Sequence, residues 1–440
     1  MARSESLTRT GETARRAQAA TQAQAQAQAG TGRRRRSRAA TGAAAALVAL
    51  MLAGTAACSS SSHAAGASGS GAASGSSSSA DAAPATITVT LAKDSAGDVI
   101  PDQPVKIAVK GGTLASVTVA DSKGDQVPGT LNATAGTWTP STPFAVGVAY
   151  TLNASAGAAG QSGKPTTAQV PFTVETPGSS SSMLLDSITP EKGAVVGVAM
   201  PVSVVFSNPV ADSARAAVEK QLKVTTSVPV TGAWHWFSST RVDWRPESYW
   251  KSGTQVTVDA DLDGVSNGNG RIGIHDYEHK FTIGSDIEAV VDAPAHTMKV
   301  TENGQLLRTL NVDTGAPGFQ TWGGTMAVID KQSELVMTSC SVGIQCDPNG
   351  PNYYDIQLPF DVHLTFSGTY VHYSTGDQNP GDSSSHGCVH LSKPDAEWFY
   401  NLAQEGDPVT VDGVPTKAAP DNGYADFNLT WSQWTAPQSS

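Results

Sequence analysis

The chain has 440 residues, with 43 Gly, 25 Pro, 6% aromatic residues and a formal net charge of −11. Nine of its 28 basic and two of its 39 acidic residues fall in positions 1–58, which leaves 19 basic against 37 acidic groups in the rest. A body that acidic is a poor partner for a phosphate backbone, so nucleic-acid binding is excluded as its main business. The length allows three domains of ordinary size, and the Gly/Pro content suits short strands joined by turns.

Residues 1–58 read as a leader. The basic run Arg33-Arg34-Arg35-Arg36-Ser37-Arg38 precedes an apolar, small-residue stretch from Ala39 to Ala57. That order marks a secretory signal, and the apolar core is too short for a stable span. Thr55-Ala56-Ala57-Cys58-Ser59 resembles a bacterial lipobox, so Cys58 is expected to carry lipid on the outer face of the membrane. An uncleaved anchor or a secreted form are the alternatives. The Ser/Gly/Ala segment 59–83 cannot bury a core and is expected to act as a tether.

Residues 84–176 alternate apolar and polar over short runs such as Val105-Lys106-Ile107-Ala108-Val109, which predicts an Ig-like sandwich. A Pro-Gly-Ser linker at 177–182 leads into a second such block at 183–284. Within it, Asp212 to Val224 predicts a helix with Asp212 as its N-cap. Trp234, Trp236, Trp244 and Trp250 are read as core or junction residues, with a glycan-binding face as the alternative. His275 and His279 are placed on the surface. The fold class is therefore mainly β, with two sandwiches followed by a third block at 285–412 and a tail, 413–440, whose Trp431 and Trp434 are expected to dock on a neighbour.

The third block holds the chemistry. Leu364 to His372 predicts a strand in which Phe366, Gly368, Tyr370 and His372 share a face. A polar loop follows, then Ser384-Ser385-His386-Gly387-Cys388-Val389-His390. Ser392-Lys393-Pro394-Asp395 predicts a capping-box start to a short helix. Acyl transfer needs a nucleophile, a base and an oxyanion site. Cys388 offers sulfur, His372 a base, and the His386-Gly387-Cys388 turn backbone N–H groups. His386, Cys388 and His390 can also be read as zinc ligands, although no fourth ligand is evident. Of the four cysteines, Cys58 is assigned to lipid. Pairing Cys340 with Cys346 leaves Cys388 free, the alternative being two free buried thiols.

The strand His, polar loop and Ser-His-Gly-Cys element resembles the signature of the L,D-transpeptidase family, actinobacterial type. Trp244-Arg245-Pro246-Glu247, Phe281-Thr282-Ile283-Gly284 and Glu397-Trp398-Phe399-Tyr400 look familial too. The resemblance covers roughly 84–440 and implies an L,D-transpeptidase catalytic β-sandwich for the third block. It implies that Cys388 is the nucleophile, His372 the base, and His386 and Gly387 the shapers of the pocket. Tyr373 would orient the base through its carbonyl, while Met337 and Tyr354 would line the substrate cleft under a lid that contains Cys340 and Cys346. His390 stands where the family usually has Asn or Arg. The implied partners are peptidoglycan stem peptides, a donor tetrapeptide and an acceptor amine, with carbapenems as inhibitors, no cofactor and no metal. An L,D-carboxypeptidase that uses water, or an inactive cell-wall-binding lipoprotein, are the rival functions.

Overall fold

The computed structural model describes residues 85–94, 97–158, 165–373 and 380–437. The leader, the tether, the lipid site Cys58 and the loop positions 374–379 lie outside the described residues.

The first sheet pair sets Thr86–Thr90, Val105–Lys110, Thr137–Pro140 and Gly129–Asn132 against Gly112–Asp121, Val148–Ala158 and Thr166–Val174. Val119, Trp138, Phe144, Leu152 and Phe172 fill the space between them. Val119, Trp138, Leu152 and Phe172 are inward positions of alternating strands, and Phe144 reaches in from the loop between Pro140 and Val148.

A second pair follows. One sheet orders Val195–Val196, Tyr277–Ile283, Gln255–Ala260 and Leu222–Thr226; the other orders Gly232–Trp236, Arg241–Pro246, Val202–Phe206 and Leu185–Thr189. Phe206 stacks on Trp236 and Trp244 on Trp250 inside this core. Trp236, Trp244 and Trp250 are all buried and Trp234 is partly buried, so these indoles fill space instead of forming a binding face. The helix is shorter than the sequence suggests. It spans Asp212–Glu219 with Ala211 at the N-cap, and 222–226 is a strand paired with Gln255–Ala260. The β-branched residues Val224, Thr225 and Thr226 gain more from a ladder than from another helical turn. His279 sits in the strand Tyr277–Ile283, not in a loop, with its ring hydrogen-bonded to the Pro190 carbonyl.

The third region joins a five-stranded sheet to a four-stranded one. The larger sheet orders Gln305–Asn311, Thr297–Glu302, Ile287–Asp292, Pro408–Asp412 and Gly324–Ala327. The smaller carries the site and is labelled β1 (Asp330–Thr338), β2 (Asp355–His363), β3 (Tyr370–Tyr373) and β4 (Val389–Leu391), hydrogen-bonded in that order. Helix α1, Lys393–Leu402, packs Ala396 and Phe399 into the shared core beside Val362, Val371 and Val389.

Two local expectations need correction here. The strand runs only from Tyr370; Leu364 to Thr369 form a turn with Gly368 at φ 94°, so Phe366 lies on the surface and not on the His372 face. At α1 the N-cap is Ser392, but its hydroxyl donates to the Asp395 carboxylate at 2.7 Å and makes no cap bond to the backbone.

The tail docks on the second sheet pair. Trp434 is buried, donates from Nε1 to the Ala233 carbonyl at 2.8 Å and stacks on His235. Arg245 lies against Phe427, Trp431 and Trp434. The core of the second pair also takes in Ala327 and Tyr424 from the third region and tail, so a continuous apolar seam fixes the catalytic region on its neighbour.

Candidate active site

Strands β3 and β4 run parallel, with Val371 opposite Val389 and His372 opposite His390. Val371 and Val389 are fully buried in the core. Strand alternation therefore turns Tyr370, His372, Cys388 and His390 to the other face. The apolar valines on one side are what present the chemical groups on the other.

His372 is buried, and its Nδ1 lies 2.8 Å from the Tyr373 carbonyl. A carbonyl only accepts, so Nδ1 carries the proton and Nε2 keeps its lone pair. Burial, then the neighbouring His390 ring edge-on at 4.6 Å, bring the His372 imidazole down to about 3. The His372 imidazole is therefore neutral at rest.

Cys388 is partly exposed as a residue, yet burial around its sulfur pushes the thiol up to about 12. The Tyr370 N–H opposes this, and the Asp361 carboxylate adds to it. The thiol donates to the Gly368 carbonyl at 3.7 Å. The resting site thus holds a neutral thiol and a neutral imidazole, not an ion pair.

The turn before the nucleophile is organised by Ser385. Its hydroxyl donates to the Cys388 carbonyl at 2.6 Å and accepts from the Gly387 N–H at 3.1 Å. Gly387 has φ 115°, a backbone state that a side chain would strain. The Gly387 N–H, one of the donors the sequence offered for an oxyanion, is held by Ser385 in this structure. His386 projects outward, with its ring 4.7 Å from Phe319 and 5.4 Å from Tyr354.

Two family models match the chain. Residues 286–411 match the L,D-transpeptidase catalytic domain, and residues 96–266 match a bacterial Ig domain. L,D-transpeptidase 2 of Mycobacterium tuberculosis is 33% identical over 347 residues, covering 78% of this chain and 82% of that one. L,D-transpeptidase 5 of the same species is 30% identical over 355 residues, covering 78% and 75%. The chain belongs to the L,D-transpeptidase family. Among solved structures, L,D-transpeptidase 3 from Mycobacterium tuberculosis with a faropenem-derived adduct is 29% identical, with a TM-score of 0.43, covering 52% of this chain and 98% of that one. The LD transpeptidase LdtMt1 in complex with imipenem is 33% identical, with a TM-score of 0.45, covering 52% and 98%.

In this L,D-transpeptidase the hairpin of β1 and β2 lies on the side of β3 away from β4, and its loop reaches back over Gly368. Met337 pairs with Ile356 near its end and is half-buried. Tyr354 faces the site, since its phenol is pushed up to about 12 by burial and then by Cys388. Cys340 and Cys346 are joined by a disulfide in the hairpin loop. Buried Ser339 ties that loop down, donating to the Gln345 carbonyl at 2.7 Å and accepting from the Tyr354 N–H at 3.1 Å. Val342, inside the disulfide loop, packs directly over Gly368, whose carbonyl receives the Cys388 thiol. His390 lies edge-on to His372, and its ring is brought down to about 4, mainly by burial. Among the described residues no group of three or more His, Cys, Asp or Glu side chains is placed to hold a metal ion.

One functional residue escaped the sequence reading. Asp313 is buried and accepts the N–H groups of Gly381 and Asp382 at 2.7 and 2.9 Å and the Ser384 hydroxyl at 3.3 Å. Its backbone pairs with His390 in both directions. It anchors the segment that leads into Cys388. Nothing within 60 residues of the motif in sequence hints at it; the only cue is an acidic residue amid the apolar-small run Leu310 to Ala316.

Proposed function

We propose that this L,D-transpeptidase cross-links peptidoglycan stems through a thioester on Cys388, with His372 as the base. The observation that carries the reading is the His372 ring, locked by the Tyr373 carbonyl with Nε2 unprotonated on the sheet face that also bears Cys388.

The steps follow from that arrangement. The Cys388 proton passes to His372 Nε2 as sulfur attacks the carbonyl that joins the third residue of a donor tetrapeptide to its terminal D-Ala. The imidazolium then protonates the leaving nitrogen, D-Ala departs, and a thioester remains. An amine on the third residue of a second stem gives a proton to His372 and attacks the thioester. Cys388 leaves as thiolate and recovers its proton. The developing oxyanion would be met by the N–H groups of His386 and Cys388, since that of Gly387 is held by Ser385. Because thiol and imidazole are both neutral at rest, proton transfer accompanies attack instead of preceding it. The basic-then-apolar leader and the small residues before Cys58 support export and a lipid anchor on the outer membrane face, with 59–83 as tether.

The test supplies a tetrapeptide donor with and without an amine acceptor and follows products by mass spectrometry. The cross-linked dimer is expected with the amine. Tripeptide as the sole product under both conditions would mean that water is the true acceptor and the enzyme a carboxypeptidase. No product and no carbapenem adduct would mean an inactive binding module.

A further inference from the structure

Asp361 sits in β2, next to the strand that bears His372. Its neighbour Val362 enters the core, opposite Val371. Asp361 is thereby turned to the face that carries Tyr370, His372 and Cys388. It has no exposed surface, and neither carboxylate oxygen has a hydrogen-bond partner. It makes no ion pair among the described residues. The Leu335 N–H of β1 leans toward its charged form, but outside hydrogen-bonding geometry.

An orphaned buried carboxyl is costly in either protonation state and calls for an explanation. On that face the register places Gln332 of β1 opposite it, Asp330 of β1 and His363 of its own strand one pair further on, and Tyr370 and His372 on β3, with Cys388 beyond them. His363 is already held by Asp330 and the Thr365 carbonyl, and it stacks on Tyr370. None of these supplies Asp361 with a cation. Burial pushes its carboxyl up to about 7, and its negative charge raises both Cys388 and Tyr370.

We propose that Asp361 is a positioning residue that sets the reactivity of Cys388 through its charge. As the neutral acid it leaves the thiol free to yield its proton; as the carboxylate it holds the thiol protonated and slows acylation. The inference rests on Cys388 being the nucleophile. It makes Cys388 gain reactivity less steeply than a free cysteine as pH rises through the Asp361 titration.

Site-resolved alkylation of Cys388 by iodoacetamide, followed by peptide mass spectrometry from pH 5 to 9.5, tests this on the full chain. Below its pKa an isolated thiol gains about tenfold in thiolate per pH unit. The wild type is expected to gain less than that between pH 6 and 8, as Asp361 ionises. Asp361→Asn restores the tenfold slope and raises the rate at pH 8.5 by roughly tenfold, the equivalent of one pKa unit. Asp361→Glu keeps the charge and the shallow slope. A tenfold slope throughout in the wild type, or superposed wild-type and Asp361→Asn profiles, would overturn the role of Asp361. Imipenem labelling of Cys388 is read in parallel: its absence in the wild type overturns the nucleophile reading itself, whereas unshifted alkylation with labelling intact overturns only Asp361.

Discussion

Two buried sets of ionisable groups lie in this molecule, and they are treated in opposite ways. At the junction with the tail, the Arg241 guanidinium forks onto the Asp243 carboxylate, which also accepts the Ser203 hydroxyl, and Arg245 spends its N–H groups on backbone carbonyls. Asp426 lies within the field of both arginines. Arg241 and Asp243 match charge there, whereas both Asp426 carboxylate oxygens are buried without a hydrogen-bond partner and burial raises that group well above the ordinary carboxylate range; the aromatic rings around Arg245 close the assembly. On the sheet face that bears Cys388, burial drives Cys388, His372, His390 and Asp361 toward their neutral forms, and the Asp313 and Asp382 carboxylates only partly oppose it at His390. At the junction the Arg241–Asp243 pair holds its charges through direct hydrogen bonds. The cleft is built so that charge appears only during reaction, when an acyl group is present to receive it.

The largest break in that contrast is removal of the sulfur. Cys388→Ala is expected to abolish cross-linking and carbapenem adducts with the melting temperature close to wild type. Adducts that persist in this variant would place the nucleophile elsewhere. His372→Ala comes next: acylation should slow by roughly 10²–10⁴-fold, since no other neutral base is aimed at the thiol. Single-turnover acylation kinetics measure this, and a loss under tenfold would shift the base role to His386 or His390.

A cut at the junction should do the reverse. Trp434→Ala removes a fully buried indole and its bond to Ala233, at a cost of about 3–5 kcal/mol in denaturant unfolding. The acylation rate of the remaining folded enzyme should stay within twofold. A large rate loss would show that the tail tunes the cleft and is more than a structural clamp.

Stability against pH separates the two sets further. Asp361 and Asp407 are raised by burial to about 7 and about 8, so their contribution is intact below the ordinary carboxylate range and is lost as pH rises through those values. The lowered histidines are neutral in the folded chain and half protonated in the unfolded chain at pH 6.5, so they oppose this decline by under about 1 kcal/mol, all of it between pH 6.5 and about 7.5. Unfolding free energy should therefore fall by about 2 kcal/mol from pH 6.5 to 8.5. Asp361→Asn and Asp407→Asn should each flatten the decline, and an unchanged slope in both would refute the assignment. The smallest effect belongs to the disulfide. Replacing Cys340 and Cys346 by Ser opens a loop of sequence separation 6, so global stability should drop by less than ~3 kcal/mol. The local consequence, a looser Val342 over Gly368, should appear as faster hydrogen exchange confined to 338–354.

Much of this was legible in the chain. Alternating runs such as Val105 to Val109 announced sandwich strands, and Ser385-His386-Gly387-Cys388 with an upstream strand His gave the site its family resemblance. What failed were places where a local pattern competes with tertiary pairing. Leu222 to Val224 close the predicted helix but are claimed by the ladder to Gln255–Ala260. Leu364 to Thr369 alternate like a strand, yet Gly368 at φ 94° makes a turn over which Val342 packs. Asp313 and Asp361 were invisible for another reason. Each acts across strands distant in sequence, and a single acidic residue carries no sign of what will be folded against it.

The most direct test of the account is a site-resolved map of the acyl group. Wild-type enzyme is treated with imipenem, digested without reduction, and every cysteine peptide is weighed. The account predicts the adduct mass on the peptide containing Cys388, an intact Cys340–Cys346 pair, and no label on that pair. An adduct on any other residue, or Cys388 found in a disulfide with Cys340 or Cys346 in active enzyme, would contradict it.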